Sequence, residues 1–359
     1  MKKDRGFRPR IEVCTDCNDA VGDALSRRLF LKTVGGSIVA GTTATAFSGG
    51  LPRVSAAAKK SSKPAETYVK LLHDSLTEKQ RNLIHFPYDH ELGRTVKNNW
   101  NIVDPKQASI EVLYTSDQQE LIRQILRNLV SEDGYERFNK QMTDDAGGLK
   151  KYTCAIFGSP GEAQFQWVLT GRHLTLRADG NSNKGAAFGG PIFYGHAVQF
   201  EEESNHPGNV WWHQGQLANE LFVALDGKQR EKALLGGEAP PDEPESVKLQ
   251  GSKAKLPGLA GSELSSDQKR MMESTLKSML GMFRKRDVAE ALECIAKNGG
   301  VDSLRVAFYK EGDIAEDGVW DRWAIVGPAF VWYFRGSPHV HTWLHVGHRG
   351  AGDPEIRTA

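Results

Sequence analysis

Asp321-Arg322-Trp323-Ala324-Ile325-Val326-Gly327-Pro328-Ala329-Phe330-Val331-Trp332-Tyr333-Phe334 holds two runs rich in aromatic and β-branched residues, separated by Gly-Pro. Such runs favour extended backbone, and Gly-Pro between them predicts a turn and a hairpin. Working outward, Ser303–Phe308 and Val340–His345 read as further strands. Tyr152–Phe157, Gln164–Leu169 and His173–Arg177 read the same way in the middle of the chain. Alternation along the last of these sets His173, Thr175 and Arg177 on one face.

Helical spacing predicts helices at Glu66–Phe86, Ser116–Leu129, Gln216–Leu235, from Ser265 onward, and at Val288–Ala296. Ser116 with Gln119 and Ser265 with Gln268 have the spacing of capping boxes. Glu132-Asp133-Gly134 reads as the end of a helix. Met271, Met272 and Met279 fall on an apolar face as core filling rather than as a copper site. Helices and strands come in blocks, so the expected class is α+β, a largely antiparallel sheet flanked by helices. No internal repeat is legible. The expected organisation is a leader over 1–58, a linker over 59–65, one large α+β domain over 66–348 and a tail over 349–359. Within the domain, residues 236–262 are rich in Pro, Gly, Ser and charge and read as a long exposed loop.

Near the N-terminus, Ser26-Arg27-Arg28-Leu29-Phe30-Leu31-Lys32 sets an arginine pair before a weakly apolar, glycine-rich stretch. This is the pattern of a twin-arginine export signal, with the translocation machinery as partner and cleavage expected near Ala56–Ala58. The apolar stretch is too short and too rich in glycine for a permanent membrane anchor. The expected location is the periplasm, or otherwise outside the cytoplasm. Cys14 and Cys17 would leave with the leader, while Cys154 and Cys294 remain, with a disulfide between them an open alternative. Residues 1–58 hold nine of the 46 Lys and Arg and five of the 45 Asp and Glu, so the remainder is slightly acidic. That charge balance argues against nucleic acid as a partner.

All eleven histidines lie beyond residue 58. The densest group is His339-Val340-His341-Thr342-Trp343-Leu344-His345. On a strand, His339, His341 and His345 share a face, and a His-x-His pair supplies two imidazoles to one metal. His173, in a strand-rich apolar region, is the first candidate for a third ligand, and His196 is a candidate fourth. His213 and the carboxylates of Glu201–Glu203 are further options. Imidazole accepts Zn and Cu alike. The nucleophile elbow, the zinc-protease helix and the phosphate loop are all absent from the sequence.

Several segments together resemble a bacterial and fungal family known as domain of unknown function 3500. Gln166-Trp167-Val168-Leu169-Thr170-Gly171-Arg172-His173-Leu174-Thr175-Leu176 resembles its Trp-x-x-x-x-Gly-His-His-Leu-x-Leu core, with Arg172 in place of the first histidine. Pro191-Ile192-Phe193-Tyr194-Gly195, Gln216–Ala233, Val326-Gly327-Pro328-Ala329-Phe330 and His339-Val340-His341-Thr342-Trp343 resemble later motifs in the same order, over roughly residues 66–348. His196 stands where the family tends to have alanine. The resemblance carries no activity, but it implies that His173, His339 and His341 belong to a recurring pattern.

Two functions follow as expectations. One is a periplasmic metal-dependent enzyme, a hydrolase with zinc or an oxidoreductase with copper, at His173, His339 and His341. The other is a non-catalytic envelope protein that binds a sugar or similar small molecule in a groove lined by Trp167, Trp211, Trp212, Trp320, Trp323, Trp332 and Trp343.

Overall fold

The computed structural model describes residues 63–198, 209–313 and 318–348. The export segment, the first part of the linker, Glu201–Glu203 and the 349–359 tail lie outside the described residues. In chain order the helices are α1 (Ala65–Ser75), α2 (Glu78–Ile84), α3 (Pro105–Ala108), α4 (Ile110–Leu113), α5 (Ser116–Leu129), α6 (Glu132–Ala146), α7 (Trp212–Val223), α8 (Gly227–Ala233), α9 (Ser266–Leu280) and α10 (Lys285–Lys297). The strands are β1 (His85–Phe86), β2 (Thr153–Gly158), β3 (Phe165–Gly171), β4 (Leu174–Ala178), β5 (Ile192–His196), β6 (Leu234–Leu235), β7 (Leu259–Ala260), β8 (Arg305–Tyr309), β9 (Arg322–Gly327), β10 (Phe330–Arg335) and β11 (Val340–Val346). The class is α+β, with one mostly antiparallel sheet of 11 strands among the described residues.

Local chemistry explains where the helices break. The single helix expected over Glu66–Phe86 is two, because Thr77 and Gln80 form a capping box that opens α2. The next capping box uses Thr115 and Gln118, one residue before the expected pair. Asp226 and Gln229 split the helix expected at Gln216–Leu235 in the same way. Glu132-Asp133-Gly134 does not end a helix. It opens α6, with Ser131 accepting from the Gly134 N–H. Two acidic residues in a first turn suit the positive end of the helix dipole, and that signal outweighs the glycine.

The sheet order, β1-β2-β3-β4-β5-β11-β10-β9-β8-β6, reads the same from both edges. Each half has a two-residue parallel edge strand following a short helix, then a four-stranded antiparallel meander, and the meanders join at β5 and β11. The helix caps repeat as well. In one half the amides of Gln80 and Gln118 bond each other at 2.7 and 3.1 Å. In the other, Gln229 and Gln268 do the same at 3.0 and 2.7 Å. Between the halves, Ser131 N–H donates to Met282 O at 2.9 Å and Arg284 N–H to Leu129 O at 3.0 Å, a reciprocal pair about a pseudo-twofold axis. The chain therefore contains an internal repeat of about 150 residues, which corrects the reading that it has none.

Helices cover one sheet face over a core that includes Trp167, Trp323, Trp332, Phe334 and Leu344. The other face carries Phe193, Tyr309, Tyr333 and Trp343, packed against Val96 and Val247 from the long connections after β1 and β6. Residues 236–262 are thus a lid on the second sheet face rather than a wholly exposed loop. Six of the seven tryptophans expected to line a groove are fully buried in the core, with Trp320 only partly buried. Cys154 and Cys294 are separate buried free thiols.

The backbones at the pseudo-twofold axis are in contact. A Cβ on Gly134 would overlap the Met282 carbonyl oxygen. Gly134→Ala is expected to cost about 1–3 kcal/mol and, for a domain of this size, to lower the thermal midpoint by roughly 2–5 °C, read by calorimetric unfolding. An unchanged midpoint would mean that the halves do not meet as described.

Candidate metal centre

The site lies at the seam between the two meanders. His341 is on β11 opposite Gly195 of β5. A Cβ on Gly195 would stand 3.1 Å from His341 Cδ2 and would overlap the Val340 carbonyl, so the glycine makes room for the ring. His339 lies just before β11. His173 is not the strand residue expected from alternation. It is the second residue of the two-residue turn between β3 and β4, with φ of 53°. Positive φ is uncommon outside glycine and costs energy that the surroundings must offset. Here the His173 carbonyl accepts from Gly195 N–H at 3.1 Å and from Gln141 Nε2 at 2.8 Å, while its own N–H donates to Asn98 O at 3.1 Å.

The three rings converge. Their centroids are 5.0 Å apart for His173 and His339, 4.9 Å for His173 and His341, and 4.7 Å for His339 and His341. One nitrogen from each lies within 4.8 Å of the others, and all three residues are buried. His339 Nε2 and His341 Nε2 are 3.0 Å apart. Two nitrogens bound to one tetrahedral zinc at ~2.0–2.1 Å would stand about 3.4 Å apart, so a small adjustment suffices. His173, His339 and His341 form a group that could hold a metal ion.

Carboxylates that the sequence reading did not find stand behind two of the rings. His173 Nδ1–H donates to Asp145 Oδ2 at 2.9 Å, and His341 Nδ1–H donates to Asp242 Oδ2 at 2.7 Å. A carboxylate on Nδ1 selects the tautomer whose Nε2 carries the lone pair, and it raises the basicity of that nitrogen. Asp145 comes from α6, the helix missed in the sequence, and its other oxygen accepts from Ala197 N–H at 2.9 Å. Asp242 comes from the loop read as exposed. It also accepts from Arg335 Nη1 at 2.7 Å and from Trp343 Nε1 at 2.9 Å.

Electrostatics keep the His339 and His341 imidazoles neutral. Burial first, then Arg335, lowers His341 to about 3. Burial, then the neighbouring histidines and Arg335, holds His339 far below the ordinary histidine range. Burial alone would raise the Asp242 carboxyl, but His341, Arg335 and Trp343 outweigh it and hold it well below the usual carboxylate range. Two neutral imidazoles, His339 and His341, in a group backed by the carboxylates of Asp145 and Asp242 suit a cation.

The other candidates fall elsewhere. His196 is outside the converging group, and its Nε2–H donates to Asp144 Oδ2 at 3.1 Å. His345 Nδ1–H donates to Val247 O at 2.8 Å. His213 lies beside Arg137 Nη1, 3.2 Å from its Nδ1. The one advance signal for Asp145 was the acidic pair Asp144-Asp145 ahead of Gly147-Gly148. Nothing around Asp242 set it apart from its acidic neighbours.

The model of a family described as "Protein of unknown function (DUF3500)" matches residues 58–346. No curated protein and no solved structure matches the chain. Among the described residues, no helix is long and apolar enough to cross a membrane.

Asp145→Asn and Asp242→Asn are each expected to weaken zinc binding by about 10- to 100-fold, measured by competition with a chelating dye. Zinc affinity equal to that of the parent in both variants would show that the carboxylates do not orient the ligands.

Proposed function

Because the chain belongs to the DUF3500 family, which brings no activity of its own, we propose from the geometry that it is an exported, metal-dependent enzyme centred on His173, His339 and His341. The observation that carries this reading is the convergence of three buried imidazoles, two of them held from behind by carboxylates. Three histidines are also the protein ligands of a hydrolytic zinc centre, whose fourth position takes water or substrate. Zinc there would lower the pKa of bound water and supply a nucleophile near neutral pH. The same imidazoles accept copper, which would make the protein an oxidoreductase. Three protein ligands, with a fourth position left to water or substrate, would suit zinc and hydrolysis. The groove-binding alternative loses its support, because six of its seven tryptophans fill the core.

Export supports the reading from the sequence side. Ser26–Lys32 matches a signal for a route that carries proteins already folded, and a site assembled from distant segments exists only in the folded chain. His196, bonded to Asp144, leaves the fourth position free in this reading; it would fill that position only if its ring left Asp144.

The chain purified from the cell envelope is expected to carry about one equivalent of Zn or Cu by mass spectrometry. His339→Ala/His341→Ala should reduce that below about a tenth. Metal content that is negligible in the parent, or equal in both, would leave the three rings as a hydrogen-bonded network and end the proposal. Arg27→Lys/Arg28→Lys is expected to hold the chain in the cytoplasm during cell fractionation. Undiminished export of that variant would remove the twin-arginine assignment without touching the metal centre.

A further inference from the structure

The sheet face that carries His341 continues into an unusual row. Arg335 of β10 is the register partner of His341 on one side and of Arg322 of β9 on the other. Directly opposed side chains of a sheet share a face and stand ~4.5–5.5 Å apart at Cβ, and like charges placed so are destabilising. Only one of these two guanidiniums is compensated. Arg335, nine-tenths buried, donates Nη1 to Asp242, but its buried Nε has no partner. The Arg322 side chain makes no hydrogen bond or ion pair among the described residues, and its Nε is buried as well. Its head packs over Gly312, whose missing side chain leaves the space.

Two hydroxyls belong to the same face. Tyr333 is two residues before Arg335 on β10. Tyr309 follows Phe308, whose partner is Trp323, and so lies alongside Arg322. Both tyrosines are buried in the small core of this face. Neither hydroxyl makes a hydrogen bond among the described residues. Burial raises Tyr309 to about 12, which keeps its hydroxyl a donor.

A structural arginine in this protein looks different. Arg177, also buried on a strand, donates to the carbonyls of Pro191, Gly93 and Thr95 and to Gln166 Oε1. Its donors serve the fold. Those of Arg322 and Arg335 remain in part unused, and a buried donor without an acceptor carries a penalty that a bound acceptor removes.

We propose that Arg322, Arg335, Tyr309 and Tyr333 form a recognition subsite for a carboxylate, placing an organic acid substrate beside the imidazole centre. A guanidinium matches a carboxylate through paired N–H donors, and phenol hydroxyls add neutral ones. With Arg335 paired to Asp242, the subsite carries one positive charge that no ion pair among the described residues compensates. That suits a single carboxylate rather than a phosphate dianion. The placement beside a reactive centre rests on the metal reading. The recognition itself does not, so the two can fail separately.

The test is calorimetric titration of the purified chain, metal-loaded and metal-stripped, with carboxylates from acetate to benzoate, their amides and inorganic phosphate. The expected result is saturable binding of at least one carboxylate, with its amide and phosphate at least about tenfold weaker. Arg322→Gln should weaken that carboxylate by about tenfold or more at unchanged metal content, and Arg322→Lys should restore part of it. Tyr309→Phe, which leaves both arginines in place, should weaken it severalfold. Absence of carboxylate binding, preference for phosphate, or binding untouched by Arg322→Gln and Tyr309→Phe would each overturn the proposal. Carboxylate binding in a chain that never holds metal would keep the subsite and discard the centre.

Discussion

The antiparallel pairing of β5 with β11 is the interaction on which the rest of the structure depends. It joins two meanders that would otherwise end in open edges, which are prone to unwanted pairing. It sets His341 against Gly195, and the same glycine's N–H bonds the His173 carbonyl. One seam thus joins the two halves of the sheet and brings ligands from both together. A one-residue slip would turn His341 to the opposite face and away from Asp242.

The pseudo-twofold relation shows that the centre is an asymmetric use of a symmetric frame. The β3–β4 turn Gly171-Arg172-His173-Leu174 corresponds to the β9–β10 turn Gly327-Pro328-Ala329-Phe330. In both, the third residue's carbonyl accepts from a glycine that is followed by histidine, Gly195-His196 in one half and Gly347-His348 in the other. Yet Ala329 stands where His173 would be repeated. The frame needs the turn and its carbonyl; only one copy adds the imidazole. Asp145 on α6 and Asn298 just after α10 serve likewise. The carboxylate accepts from Ala197 N–H and His173, whereas the amide donates to the Gly347 and His348 carbonyls.

Several features were legible because they are local. Alternating apolar runs marked the strands, Gly327-Pro328 marked a hairpin, and His-x-His marked two imidazoles on one strand end. What failed was also local, but competitive. Leu76-Thr77 looks like helix interior until Gln80 is seen to close a capping box, and Glu132-Asp133-Gly134 looks like a terminus until Ser131 is seen to cap it. The repeat hid because its traces are sparse: Trp167-x-x-x-Gly171 against Trp323-x-x-x-Gly327, Gly195-His196 against Gly347-His348, and four cap glutamines. Sheet order and caps preserve a repeat that side-chain identity has nearly lost.

The amino-acid sequence alone determined the class of fold, the family pattern and which three histidines to consider, since these depend on residue type and short-range periodicity. Tertiary structure alone decided that the rings meet, that Asp145 and Asp242 stand behind them, that His196 turns to Asp144, and that Arg322 and Arg335 share a row with His341. Those facts depend on strand register and on contacts between residues as far apart as Asp242 and His341. A carboxylate's role is set by what burial and pairing bring to it, and its chain neighbours carry no record of that.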